Sequence, residues 1–233
     1  MNDDISYDSE PGNWNFRNGV AGVFDSHVRR SVPGYDLAHD VVIKMSDHFL
    51  REGDRCVDIG CSTGTLLNLL AKRHSKKNLE LYGVDIESEM IKEALNNRNF
   101  SNINYEEVSL FEAVLTGSMV IAVFVIQFLH PRIRQNAIDK IYRELDWGGG
   151  FFMFEKVRGS DARFNDIMMS CHWEWKREQG FSDEEIIGKW RSLKGVMEPF
   201  SEAGNIDMMR RAGFEDVETI WKWGPFQGFL AIK

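Results

Sequence analysis

Arg55-Cys56-Val57-Asp58-Ile59-Gly60-Cys61-Ser62-Thr63-Gly64 is the stretch on which the reading of this 233-residue chain turns. Val57 and Ile59 alternate with Asp58, the pattern of a buried strand. Gly60 and Gly64 bracket a tight turn, and Thr63 to Lys72 carries Leu66, Leu67, Leu69, Leu70 and Ala71 at helical spacing. Strand, glycine-rich turn and helix in that order bring backbone N–H groups and a helix N-terminus to one point at the carboxyl edge of a sheet. An anion or a polar cofactor sits there. Leu79 to Asp85 predicts a second strand, ending in an acid 21 residues after Gly64 that is placed to take both hydroxyls of a ribose. The turn does not have the dinucleotide spacing G-x-G-x-x-G. It runs Asp58-x-Gly60-x-Ser62-x-Gly64, with a serine where a pyrophosphate needs glycine for close approach. The bland alternative is an α/β unit that binds no cofactor.

Composition sets the outer bounds. Hydrophobic residues make up 43% of the chain and charged residues 27%, so one sizeable core is possible. The net charge of −8 argues against a surface built to grip a nucleic-acid backbone and toward a small-molecule substrate. Cys56, Cys61 and Cys171 have no zinc spacing and are odd in number, which reads as reduced thiols in a cytoplasmic protein. No amino-terminal signal pattern is visible, and no apolar run reaches the ~18 residues a membrane helix needs.

Met1 to Gly12 is acidic and reads as a disordered tail. Residues 13–233 read as a single domain with an N-terminal cap over 13–50 and a helical insertion over 160–200. Apolar residues from Trp14 to Val28 predict a cap helix, and Tyr35 to Leu50 a second one. Ser88 is the expected N-cap of a helix running to about Asn96. Tyr105–Val108 and Ser118–Val125 are expected strands, the latter buried on both faces. Pro131–Leu145 is expected to be helical and stopped by Asp146-Trp147-Gly148-Gly149-Gly150, before a strand at Phe151–Phe154. Two insertion helices (Asp161–Glu178 and Ser182–Leu193), a last helix (Ile206–Arg211) and a strand pair (Val217–Trp221 and Phe229–Ile232) complete the pattern. The expected architecture is Rossmann-like α/β: a mostly parallel seven-stranded sheet with a terminal antiparallel hairpin and helices on both faces.

Asp58-x-Gly60-x-Ser62-x-Gly64 and Asp85 resemble motifs I and II of the class I S-adenosylmethionine (SAM) methyltransferases. Other pieces resemble carboxy-S-adenosyl-L-methionine synthase, a family earlier classed as tRNA (cmo5U34) methyltransferases. They include Arg30-Ser31-Val32-Pro33-Gly34-Tyr35, Gln127-Phe128-Leu129, Glu155-Lys156 and Val196-Met197. The resemblance spans nearly the whole chain. It implies a homodimer that makes carboxy-SAM from SAM and prephenate by capturing released carbon dioxide at the SAM methyl group. A partner enzyme would then pass the carboxymethyl group to a tRNA wobble uridine, and the synthase itself need not hold tRNA. Carried over by position, it implies a cofactor site of Tyr35, Asp58, Gly60, Cys61, Ser62, Gly64, Asp85, Ile86, Ser109, Leu110 and Val123. The family's asparagine on the central strand is Val123 here, and its carboxylate-binding arginine aligns with Trp190. Arg191, one residue away, and Arg29 and Arg30 are the cations expected to replace that arginine, with Tyr35 beside them. No metal is expected.

Two other functions fit the same residues. One is a SAM-dependent methyltransferase acting on a small molecule or nucleobase, with His130, His172 or Glu155 as its base. The other is a non-catalytic SAM-fold subunit using Trp173, Trp175 and Trp190 as an interface.

Overall fold

The computed structural model describes residues 10–17 and 19–233. The expected disordered tail lies mostly outside them; Glu10 to Gly12 form a bend and turn. Two helices, α1 (Val20–Ser31) and α2 (Tyr35–Met45), precede the sheet. Then follow β1 (Arg55–Ile59), α3 (Thr65–Arg73), β2 (Glu80–Asp85), α4 (Ser88–Asn96), β3 (Ile103–Glu107), β4 (Gly117–Val123), α5 (Pro131–Glu144) and β5 (Leu145–Lys156). The helices α6 (Ala162–Glu178), α7 (Asp183–Ser192) and α8 (Glu202–Ala212) lead into β6 (Asp216–Trp223) and β7 (Phe226–Ile232).

The seven strands are ordered β3-β2-β1-β4-β5-β7-β6. The first five are mutually parallel, while β7 runs antiparallel to both β5 and β6. The sheet is therefore of the expected mixed type. Chain order reverses between β1 and β4, and such a switch point leaves a crevice at the strands' carboxyl ends. The pleat explains why β4 is apolar throughout. Val120 and Ala122 pack with Ile138, Ile141 and Met208 on one face, while Met119 and Ile121 pack with Val42, Leu67 and Leu70 on the other.

Several boundaries differ from the sequence reading. The cap helix starts at Val20 rather than near Trp14. The second helix gives way at Ser46 to a 3-10 turn through His48, where the Ser46 hydroxyl bonds the Ile43 carbonyl. Ser88 is not the N-cap of α4: that place falls to Glu87, whose N–H donates to Asp85 Oδ1, so Ser88 is the first helical residue. Asp146 to Gly150 do stop α5, but as part of β5 rather than as a loop. A register shift between the Gly117–Leu145 and Met119–Gly150 pairs absorbs the extra residues. Helix α8 begins four residues earlier than Ile206, because the Ser201 hydroxyl accepts the Gly204 N–H and caps it. Both hairpin strands are longer than their apolar cores suggested, since ladder bonds continue through polar residues such as Lys222 and Gln227. Among the described residues no helix is long and apolar enough to cross a membrane, and no cluster suits a metal ion.

Candidate active site

The turn after β1 is a strained cradle. Gly60 has φ 65°, and a Cβ there would lie 2.5 Å from Val125 Cγ2, so a side chain is excluded by both conformation and space. The N–H groups of Gly60 and Cys61 both donate to Val84 O, at 2.7 and 3.1 Å. Ser62 is held at φ 50°, a region non-glycine residues seldom occupy, and its N–H donates to Asp85 Oδ2 at 3.0 Å. With Glu87 N–H on Oδ1, the Asp85 carboxylate is fixed at both oxygens, each of which keeps a lone pair for a ligand. Helix α1 closes over the turn through Asp25, whose carboxylate accepts the hydroxyls of Thr63 and Thr65 at 3.1 and 3.2 Å.

The turn forms one wall of a cavity of about 500 Å³, large enough for a nucleoside-sized ligand and a small acid. Tyr35, Asp58, Gly60, Cys61, Ser62 and Asp85 line it, as do Ile86, Ser109, Leu110 and Val123. Gly64 does not: it is the N-cap residue just before α3, and its carbonyl accepts the Tyr105 hydroxyl at 3.4 Å. Asp58 is only 3% exposed, and among the described residues no cation lies within ion-pair range of it. Burial, and then the charge of Asp85, push its pKa up to about 8. Burial likewise raises Asp85, Cys61 and Tyr35, so the thiol and phenol stay neutral.

The opposite end of the cavity is basic. Lys156 at the end of β5, Lys176 on α6 and Lys189 on α7 all line it, together with His27 and His172. The Lys189 ammonium donates to His27 Nε2 at 2.6 Å and Ser31 Oγ at 3.2 Å, and sits 4.7 Å over the Trp14 ring. Lys156 and Lys176 pack toward the rings of Phe226 and Phe181, each at 5.8 Å, and among the described residues neither pairs with a carboxylate. Burial and then neighbouring lysine charge lower Lys156 to about 7; burial alone lowers Lys176 to about 8. Lys189 is driven well down by burial and by the other two lysines. His172 Nε2 lies 3.1 Å from the Ser31 carbonyl, which can only accept, so Nε2 carries the proton. Its Nδ1 is then a bare acceptor, buried without a partner.

The arginines named from sequence are elsewhere. Arg30 donates to Gln179 O at 3.1 Å and stacks on Phe181, and Arg191 is exposed; neither lines the cavity. Trp190 is 40% exposed, edge-on to Trp173 and beneath the Lys194 ammonium, so it too faces away from the cavity. Of the three candidate bases, His130 caps α5 by accepting the Arg132 N–H, and buried Glu155 accepts the Ile126 N–H. Only His172 reaches the cavity, and burial plus lysine charge hold its pKa near 2, too low for a working base. The lysines were missed because they lie on three separate elements. The available signal was His172 and Lys176, four apart on one face of an aromatic-rich helix.

A buried carboxylate near the end of the first strand, without an ion-pair partner among the described residues, beside an acid at the end of the second strand, fits a ligand that brings a cation and a ribose. The α-ammonium and the adenosine of SAM supply both. Residues 56–149 match the family of the methyltransferase domain. The human N-acetylserotonin methyltransferase solved in complex with SAM shares the fold at a TM-score of 0.60 and 14% identity. That match covers 97% of this chain and 63% of the longer human one. Fold and site together define a SAM-dependent transferase of the class I methyltransferase type. Within that class, the carboxy-S-adenosyl-L-methionine synthase of Nautilia profundicola is 35% identical over 221 residues, covering 94% of each chain. That of Campylobacter lari is 34% identical over the full length of both. The chain belongs to the carboxy-S-adenosyl-L-methionine synthase family.

Proposed function

We propose that this protein converts SAM and prephenate into carboxy-SAM, which a partner enzyme uses to modify a wobble uridine of tRNA. The observation that carries this reading is the division of one cavity into an acidic end and a basic end. A methyltransferase needs only the first. An enzyme that brings an anionic acid to the SAM methyl group needs both. SAM supplies the sulfonium-bound carbon on which the new carboxylate is placed. Asp58 would hold its α-ammonium, Asp85 the ribose hydroxyls, and Ile86, Ser109 and Leu110 the adenine edge. Tyr35 and Phe124, with rings stacked 6.3 Å apart, would shut water from the reacting carbon.

The reading extends to a single domain whose cap (13–50) and insertion (160–200) complete the pocket, acting in the cytoplasm without direct contact to tRNA. The protein would act as a homodimer. Phe164, Ile167, Ile187 and Trp190 leave an apolar face exposed on α6 and α7, suited to a second copy. Incubation with SAM and prephenate, followed by mass spectrometry of the nucleoside pool, tests the activity. Carboxy-SAM formed only when both are present is the expected result; its absence, with SAM bound, overturns the reading. A plain methyltransferase is the second reading, favoured by Val123 and the outward Trp190 at positions where the family pattern is polar. It predicts only SAM or its demethylated product in the purified protein.

A further inference from the structure

Three lysines enter one end of the cavity from three elements, Lys176 buried and Lys156 and Lys189 partly so, and that arrangement is costly. A buried ammonium loses hydration, and like charges nearby add to the loss. Proteins ordinarily offset this with a carboxylate. Among the described residues no carboxylate pairs with Lys156 or Lys176: Asp25, Asp58 and Asp85 serve the opposite end, and Glu155, next to Lys156 in sequence, is committed to the Ile126 N–H. The cations that face this end are Lys156, Lys176 and Lys189, with Arg30 and Lys194 outside it and neutral His27 and His172 within it. The partnerless Nδ1 of His172 is a second polar group left unsatisfied at the same place; at 3% exposure the residue is cut off from bulk water. Unsatisfied buried polar groups at one point call for an explanation, and a missing ligand supplies it.

We propose that Lys156, Lys176 and Lys189 form the carboxylate-holding subsite for the acid co-substrate. In this chain they take over the task that the family resemblance assigns to an arginine at the position of Trp190. The proposal rests on the carboxy-SAM reading for the identity of the acid, but not for the existence of the subsite. The chemistry it selects is a compact acid with at least two carboxylates, and one that also carries a hydroxyl gives His172 Nδ1 its missing donor. Lysine suits such a chamber: three separate point charges accommodate carboxylates in several orientations, where one guanidinium fork fixes a single one. Trp190 then has no role at the pocket. It packs outward against Trp173 and Lys194.

The test uses the full chain with S-adenosylhomocysteine bound, so that no turnover occurs. Prephenate titrations by calorimetry compare the wild type with Lys156→Met, Lys176→Met and the conservative Lys176→Arg. Each methionine variant is expected to weaken prephenate binding at least tenfold, with S-adenosylhomocysteine affinity changed less than twofold, and Lys176→Arg to recover most of the loss. Each methionine variant should also melt a few degrees higher than the wild type without ligand, because a buried cation has been replaced by an apolar chain of similar size. A lysine placed only for packing would move the melting point down instead. Unchanged prephenate binding in both methionine variants overturns the proposal. Carboxy-SAM formation at the wild-type rate in those variants overturns it too, while leaving the carboxy-SAM reading intact. Binding of prephenate that depends on the lysines, in a wild type that makes no carboxy-SAM, keeps the subsite and removes the reading.

Discussion

Asp58 shows what a single residue contributes. Its folded-state pKa of about 8 lies above the ordinary 3.8, so the empty protein is stabilised by protonation of this group. That contribution is complete below about pH 4 and is lost as pH rises toward 8, after which it changes no further. Asp58→Asn should therefore stabilise the empty protein by an amount that grows between pH 4 and 8 and then levels, on the order of a few kcal/mol in urea denaturation. The same variant should bind S-adenosylhomocysteine at least ten times more weakly, because the amide cannot compensate an ammonium. In the wild type, a ligand ammonium would pull the Asp58 pKa down, so binding near pH 7 should release a proton. Calorimetry in buffers of different ionisation enthalpy reads that proton directly. Gly60→Ala is the harsher change: with φ at 65° and Val125 in the way, loss of S-adenosylhomocysteine binding and about 1–3 kcal/mol of stability are expected. Residues of this kind were legible because the chemistry is local. A turn, two glycines and two acids lie within 28 residues of one another, and the strand pattern alone puts them at one sheet edge.

At the scale of elements, two helices matter most. Helix α1 is tied to the glycine turn chiefly by the Asp25 carboxylate on Thr63 and Thr65. Asp25→Ala should loosen this cover and raise the dissociation constant of S-adenosylhomocysteine about tenfold, measured by titration calorimetry, while leaving the strands' amide-exchange protection unchanged. Helix α7 presents Lys189 and starts with a reciprocal cap, in which Ser182 Oγ accepts the Glu185 N–H and Glu185 Oε2 accepts the Ser182 N–H. Ser182→Ala should cost about 1 kcal/mol in global stability and weaken acid binding more than nucleoside binding. Element types were readable from periodicity, but their ends were not. Leu145 to Gly150 carry an aspartate and three glycines, poor strand formers, and become strand because Leu145 and Gly150 pair with β4, Gly150 pairs with β7, and Gly148 and Gly149 exchange backbone bonds with Lys233. Nothing in those residues themselves announces that pairing.

Across the whole molecule, charge is partitioned rather than spread. The net charge of the chain is −8, yet three lysines share one interior chamber. Electrophoretic mobility shift at physiological salt should accordingly show no complex with tRNA at micromolar protein, since the net charge is negative and the lysine cluster is out of reach of a polyanion's backbone. The interior cluster was invisible in the sequence for a physical reason. Lys156, Lys176 and Lys189 are spaced 20 and 13 residues apart, and only the folding of α6 and α7 back across the sheet brings them together. The arginines at 29, 30 and 191 looked more promising because they fall near family motifs, but a neighbour along the chain can point to solvent.

The fixed lysine chamber also bears on how a reaction cycle would end. Prephenate arrives with two negative charges and would leave as an aromatic keto acid with one, its hydroxyl departing as water with a proton from the SAM methyl group, while the carboxyl carbon it loses becomes a carboxylate on that methyl carbon. The ammonium groups would thus meet the same total charge before and after, now divided between two molecules. The departing keto acid loses part of its grip without any helix having to move, and the newly carboxylated nucleoside is the one retained for hand-over.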